Sequence, residues 1–198
     1  MTTGEDEVPD EVPDDVPGDV PEEVPDDAYG RVTNPERYLV LHDVARDLID
    51  RLVARHDVER VDGVDLDPDI PDEGWAGSPA TRLTPRGAGS PFAFTFTPFP
   101  GVGVRFGHAG HAMFPSCGCD ACDDDPVEES DDLAEVVAVV IAGGFRESRH
   151  RPVVGRDRYE TVLQREDGTT RSIRSIDRRD LPSVPLGTTT WAPWPDRR

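Results

Sequence analysis

The sequence predicts an α+β fold: two amphipathic helices packed on an antiparallel sheet of about four to six strands, behind a disordered acidic N-terminal tail. Three observations lead there. Apolar residues recur at three- and four-residue spacing over 38–53 and again over 133–145, the signature of helices with one buried face. Large apolar residues alternate with small or polar ones over 92–97 and, after a turn, over 102–106, and a hairpin pattern follows over 159–176. The length, 198 residues, suits one domain with a core rather than two full-sized ones.

Residues 1–28 are read as tail. Val-Pro pairs begin at positions 8, 12, 16, 20 and 24, and the residues between them are mostly acidic. Proline at every fourth position denies helix and sheet their hydrogen bonds, and the acids repel one another, so an extended polyproline-like state is expected. Residues 1–27 hold 12 acids and no base, which leaves 29 acids against 21 bases in the single domain expected over 29–198. Every base is arginine, and from Arg146 onward arginines outnumber acids by 12 to 8. A formal net charge of -20 argues against nucleic acid or an anionic membrane as main partner; a protein partner stays open, and the charge names none. The start, MTTGEDEV, lacks the basic and apolar regions of a secretory signal, and no apolar run reaches the length of a membrane span, so the expected location is the cytoplasm.

The first helix follows Asn34-Pro35, a cap residue and a first-turn proline, with Tyr38, Leu41, Ala45, Leu48, Ile49 and Leu52 on its apolar side. His42 and His56 fall on or near the polar side and are expected to face solvent. From about Asp65 to Pro91 the chain is rich in proline, glycine and aspartate and reads as one long loop, with Trp75 holding part of it to the core. Phe92, Phe94 and Phe96 alternate with Ala93, Thr95 and Thr97, and after a turn Val102, Val104 and Phe106 do the same, giving two neighbouring antiparallel strands. The second helix starts at Asp125 as cap, with Pro126 next and Glu128 completing a capping box. Its stripe runs through Leu133, Val136, Val137, Val140, Ile141 and Phe145, and Gly143-Gly144 ends it. Asp167-Gly168 marks the last hairpin, and WAPWP at 191–195 is apolar enough to dock on the domain.

The chemistry lies in FPSCGCDACDDDP, residues 114–126, which carries all three cysteines. In a reducing compartment three clustered thiols point to metal binding or reactivity before disulfides. Gly118 lets the backbone turn tightly enough for Cys117, Cys119 and Cys122 to face one ion, and Cys119 and Cys122 have the spacing common in tetrahedral zinc sites. A closed site needs a fourth ligand, for which His111 and His108 in FGHAGHAMF, or Asp120 and Asp123–Asp125, are available. Soft thiolates favour zinc over magnesium or calcium. The leading expectation is therefore a non-enzymatic interaction or regulatory domain with a structural zinc. The alternative is an enzyme that uses an open zinc or a reactive cysteine with His108 or His111, in a pocket walled by the cysteine loop and the 65–91 loop. The sequence has no helical HExxH, no phosphate-cradling glycine loop and no GxSxG.

RVTNPERYLVLHD (31–43), PFAFTFTPFPGVGVRFG (91–107), FPSCGCDACDDD (114–125) and WAPWP (191–195) together resemble a family of small uncharacterised actinobacterial proteins that carry a domain of unknown function. The resemblance runs from about Tyr29 to the end, with CGCDAC its most specific piece. It implies a domain boundary and a shared cysteine loop, and no activity.

Overall fold

The computed structural model describes residues 26–66, 78–165, 168–176 and 184–198. The Val-Pro repeats, Trp75 and most of the Asp167-Gly168 turn lie outside the described residues. The α+β expectation holds, with two antiparallel sheets where one was expected. Strands β1 (Val58–Val64), β2 (Ala80–Pro85), β3 (Phe92–Thr97), β4 (Gly101–Phe106) and β5 (Gly110–Phe114) form a meander in that order. Strands β6 (Phe145–His150), β7 (Asp157–Gln164), β8 (Thr169–Ile176) and β9 (Gly187–Thr190) form the second sheet, ordered β8-β7-β6-β9. Helices α1 (Leu39–Arg55) and α2 (Pro126–Ile141) pack on each other and on the first sheet.

One apolar core joins these layers. Leu41, Ala45, Leu48, Ile49 and Leu52 of α1 meet Leu133, Val136, Val137 and Val140 of α2. Beneath them lie Phe92 and Phe94 of β3, with Val102, Val104 and Phe106 of β4. The pairing Phe94↔Val104 and Phe92↔Phe106 keeps the apolar residues on one face, as the two-residue period requires. Ala28 is buried within a short 3-10 turn, Asp26–Gly30.

Both helix starts differ in detail from expectation. A 3-10 turn, Pro35–Tyr38, leads into α1, and the Asn34 side chain makes no cap bond. At α2 the Asp125 carboxylate accepts the Val127 N–H at 2.7 Å. It is Glu129, rather than Glu128, that reaches back, accepting the Ser116 N–H at 3.2 Å. Gly143 adopts φ 81°, a left-handed C-terminal turn that glycine enters at little cost. Phe145 therefore belongs to β6, and its ring still enters the core assigned to the helix stripe.

Three local readings are corrected. Ala80–Pro85, read as loop, is strand β2, paired to β1 through Arg60↔Leu83 and to β3 through Arg82↔Ala93. His56 is buried edge-on to Trp194, ring centres 5.8 Å apart, because the C-terminal segment folds back over the end of α1. His42 is half-buried with Nε2 3.0 Å from the Gly101 carbonyl. The WAPWP segment docks as expected: Trp194 donates Nε1–H to the Ser90 carbonyl at 2.8 Å, and its backbone N–H donates to the Ile141 carbonyl at 2.8 Å. No described helix is long and apolar enough to cross a membrane.

A buried carboxylate joins the two sheets, beside the apolar contact of the Phe145 ring with Phe106. Glu147 of β6 accepts the backbone N–H groups of His108 and Ala109, at 2.8 and 3.3 Å. It also accepts the Tyr159 hydroxyl at 2.6 Å and the Trp191 indole N–H at 3.0 Å. Both carboxylate oxygens are thus saturated, which is what a buried anion requires.

Candidate metal centre

Strand β5 delivers the chain to the cysteine loop, and α2 takes it away. Phe114 closes the strand opposite Val102, and residues 115–124 then fold back before Asp125 caps the helix. The turn is tight because Gly118 lies under an aromatic ring: a Cβ there would come within 2.4 Å of the Phe99 ring. Asp123 takes φ 47°, a left-handed conformation that aspartate tolerates better than most residues.

That path brings the three sulfurs together. The Sγ atoms of Cys117, Cys119 and Cys122 all lie within 4.8 Å of one another, and all three are free thiols. Cys119 is buried, Cys117 half-buried and Cys122 exposed. The Cys117 thiol donates to Cys119 Sγ at 3.3 Å. Regular tetrahedral zinc–thiolate geometry, with bonds near 2.3 Å, places sulfurs about 3.8 Å apart, so the trio is close to the right size for one ion. Three close cysteines could hold a metal ion.

The electrostatics point the same way. The Cys119 thiol is held below its ordinary value, first by the hydrogen bond from Cys117 and next by the Cys122 backbone N–H. Cys122 is pushed up to about 12 by the Cys117 and Cys119 sulfurs beside it. One proton leaves the trio readily and the last is retained, because a further thiolate would face negative charge already present. A divalent cation relieves that repulsion.

The acids around the thiols do a different job from the ligation weighed for them. Asp120 accepts the Thr33 N–H at 2.7 Å, the Thr33 hydroxyl at 2.5 Å and Arg31 Nε–H at 2.9 Å. Its carboxyl is accordingly held below the usual range, chiefly by Thr33. Asp123 pairs with Arg37 at 2.5 Å, and Asp124 accepts the Cys117 N–H at 3.1 Å. Backbone bonds add to this, from Asp120 N to the Arg31 carbonyl at 2.8 Å and from Ala121 N to the Ala28 carbonyl at 3.3 Å. The loop therefore ties the segment before α1 to the start of α2. No spacing rule reveals this, since Arg31, Thr33 and Arg37 lie more than 80 positions from the aspartates that hold them; only the density of aspartates beside the cysteines hinted at it. Asp120→Ala is expected to release residues 28–33, speeding trypsin cleavage after Arg31 several-fold with little change in global melting temperature. Unchanged cleavage would remove the clasp.

Neither histidine joins the sulfurs. His108 sits in the β4–β5 turn against Trp191, ring centres 5.0 Å apart. His111 lies opposite Arg105 on β5, with Nδ1 3.4 Å from the Ala109 carbonyl. Strand β5 runs away from that turn, so the cysteines emerge at its other end. The pocket expected between the cysteine loop and residues 65–91 falls partly on residues 67–77, outside the described residues, and the described residues of the two segments line separate hollows. An open groove of about 370 Å³, lined by Tyr29, Val32, Phe99 and Met113, borders Cys117 and Cys119. Leu66, Arg82 and Thr84 instead line a separate cavity beside Arg105 and His108.

Comparison with known proteins finds a match to the model of a family of unknown function (DUF6226) over residues 16–198. Neither the curated proteins nor the solved structures gave a match.

Proposed function

Because the chain belongs to the DUF6226 family of unknown function, we propose a role argued from the cysteine loop itself: a non-enzymatic interaction or regulatory domain whose loop is fixed by zinc on Cys117, Cys119 and Cys122. The observation that carries this reading is the convergence of three thiols at the point where the N-terminal segment, β5 and α2 meet. A metal there acts on three elements at once, which is the work of a structural ion. Thiolate donors select zinc over the hard cations. Asp120, Asp123, Asp124 and Asp125 are held by other partners, so the fourth ligand that closes the site comes from a group arriving from outside, which suits an interaction domain. The adjoining groove, with exposed Tyr29, Val32 and Phe99, favours a binding role for this end of the domain.

Elemental analysis of protein purified under reducing conditions is expected to find one zinc per chain, and none when any of the three cysteines is changed to serine. Cobalt substitution should give the intense near-ultraviolet absorption of thiolate ligation. Reduced protein that holds no metal and develops no such band with cobalt would end the proposal.

A further inference from the structure

The outer face of the second sheet carries a positive patch that the metal reading leaves unused. His150, Arg151, Arg156, Arg158 and Arg171 line an open groove of about 510 Å³, with Glu160 as its acid. Glu160 is paired to Arg171 at 2.7 Å. Arg151 lies 3.4 Å from the buried Asp157, which Arg149 already holds at 2.9 Å. Arg156 and Arg158 are exposed and take part in no ion pair among the described residues. Register places Arg158 beside His150 on β6 and Ser175 on β8, so the charge is arrayed across the sheet.

We propose that this groove is the docking site of the chain's own acidic N-terminal segment, residues 1–25. That segment has ten acids and no base, the complement of the groove. Its acids are spread along the segment, with at least one between each Val-Pro pair and the next. Acids repeated in this way need no fixed register, as suits a row of guanidinium groups better than an apolar groove. Reach is ample: 25 residues extend to about 80 Å, against a diameter of roughly 40 Å for a domain of this size. Tethering holds the local concentration of acids in about the millimolar range. The domain's overall negative charge opposes docking, but it is spread over the whole domain, whereas the arginines of the groove act at contact distance, where Coulomb attraction is strongest. The short-range bonds are guanidinium to carboxylate, the strongest such pairing available to a chain without lysine. The groove offers no aromatic platform for bases, which disfavours a single-stranded nucleic acid in the same place. An acidic partner protein would have to displace the segment, which makes the groove a competitively guarded interface.

The test is phenylglyoxal footprinting of the full chain, read by mass spectrometry, against a full-length variant with the ten acids changed to their amides. At low salt Arg156 and Arg158 are expected to react several-fold more slowly in the natural chain, while Arg86, exposed just after β2 and outside the groove, reacts equally in both. The difference should vanish at about 1 M salt, where the screening length falls to about 3 Å. Equal rates at low salt overturn the proposal, and so does protection that survives high salt. Protection that grows with protein concentration assigns the acids to a second copy and overturns docking within one chain.

Discussion

Glu147→Leu is expected to cost about 3–5 kcal/mol, among the largest losses available to a single substitution in this domain. The carboxylate accepts four hydrogen bonds, from the His108 and Ala109 backbone, Tyr159 and Trp191. Leucine fills most of the space but leaves four donors facing an apolar side chain, and each buried orphan costs about 1–3 kcal/mol before relaxation. In a chain of this size the loss corresponds to a fall in melting temperature of roughly 10–15 °C. Glu147→Gln separates charge from shape. The amide oxygen can serve His108 and Trp191, and the Tyr159 hydroxyl can turn to accept from the amide nitrogen, but the Ala109 N–H then meets a donor. A loss of about 1–2 kcal/mol follows, clearly smaller than for leucine. Thermal unfolding of both variants checks this, and a leucine variant as stable as the parent would show that the two sheets are held together by other means.

Glu147 also shows where sequence reading stops. Its donors come from positions 108, 109, 159 and 191, so nothing near it in the chain announces that FRESRH turns Phe145, Glu147 and Arg149 inward. A strand whose buried face is ionic has no apolar alternation to detect. Strand β1 is hidden for another reason: Val58, Val61 and Val64 fall three apart because the register shifts between Val61 and Val64, where Gly63 takes φ 72°. By contrast α1, α2, β3 and β4 gather their large apolar side chains on one side, and their periods survive intact in the sequence. Of the candidate site, the meeting of three thiols was legible from their spacing and from Gly118. The use of the neighbouring aspartates as clasps rather than ligands was not, since their partners Arg31, Thr33 and Arg37 belong to a segment whose position only the folded core determines.

Chelation is the perturbation that separates this domain from one with three idle thiols. If zinc binds the folded loop and not the unfolded chain, free metal a thousandfold above the dissociation constant stabilises by about 4 kcal/mol, and a strong chelator is expected to lower the melting temperature by about 8–16 °C. The apolar core does not depend on the loop, so the stripped protein should remain folded at room temperature while residues 26–38 become accessible to trypsin at Arg31 and Arg37. Metal and proton compete for the same sulfurs, which fixes the pH dependence. Cys119 releases its proton below the ordinary thiol range, whereas Cys122, pushed up to about 12, is still a thiol in metal-free protein at neutral pH. Zinc must displace that proton, so binding releases protons and weakens as pH falls. The chelator effect should therefore be large at pH 8 and shrink towards zero near pH 5, with cysteine-to-serine variants indifferent to chelator throughout. Identical melting curves with and without chelator at pH 8, in reduced protein shown to have been exposed to zinc, would leave the convergence of the sulfurs without a metal to explain it.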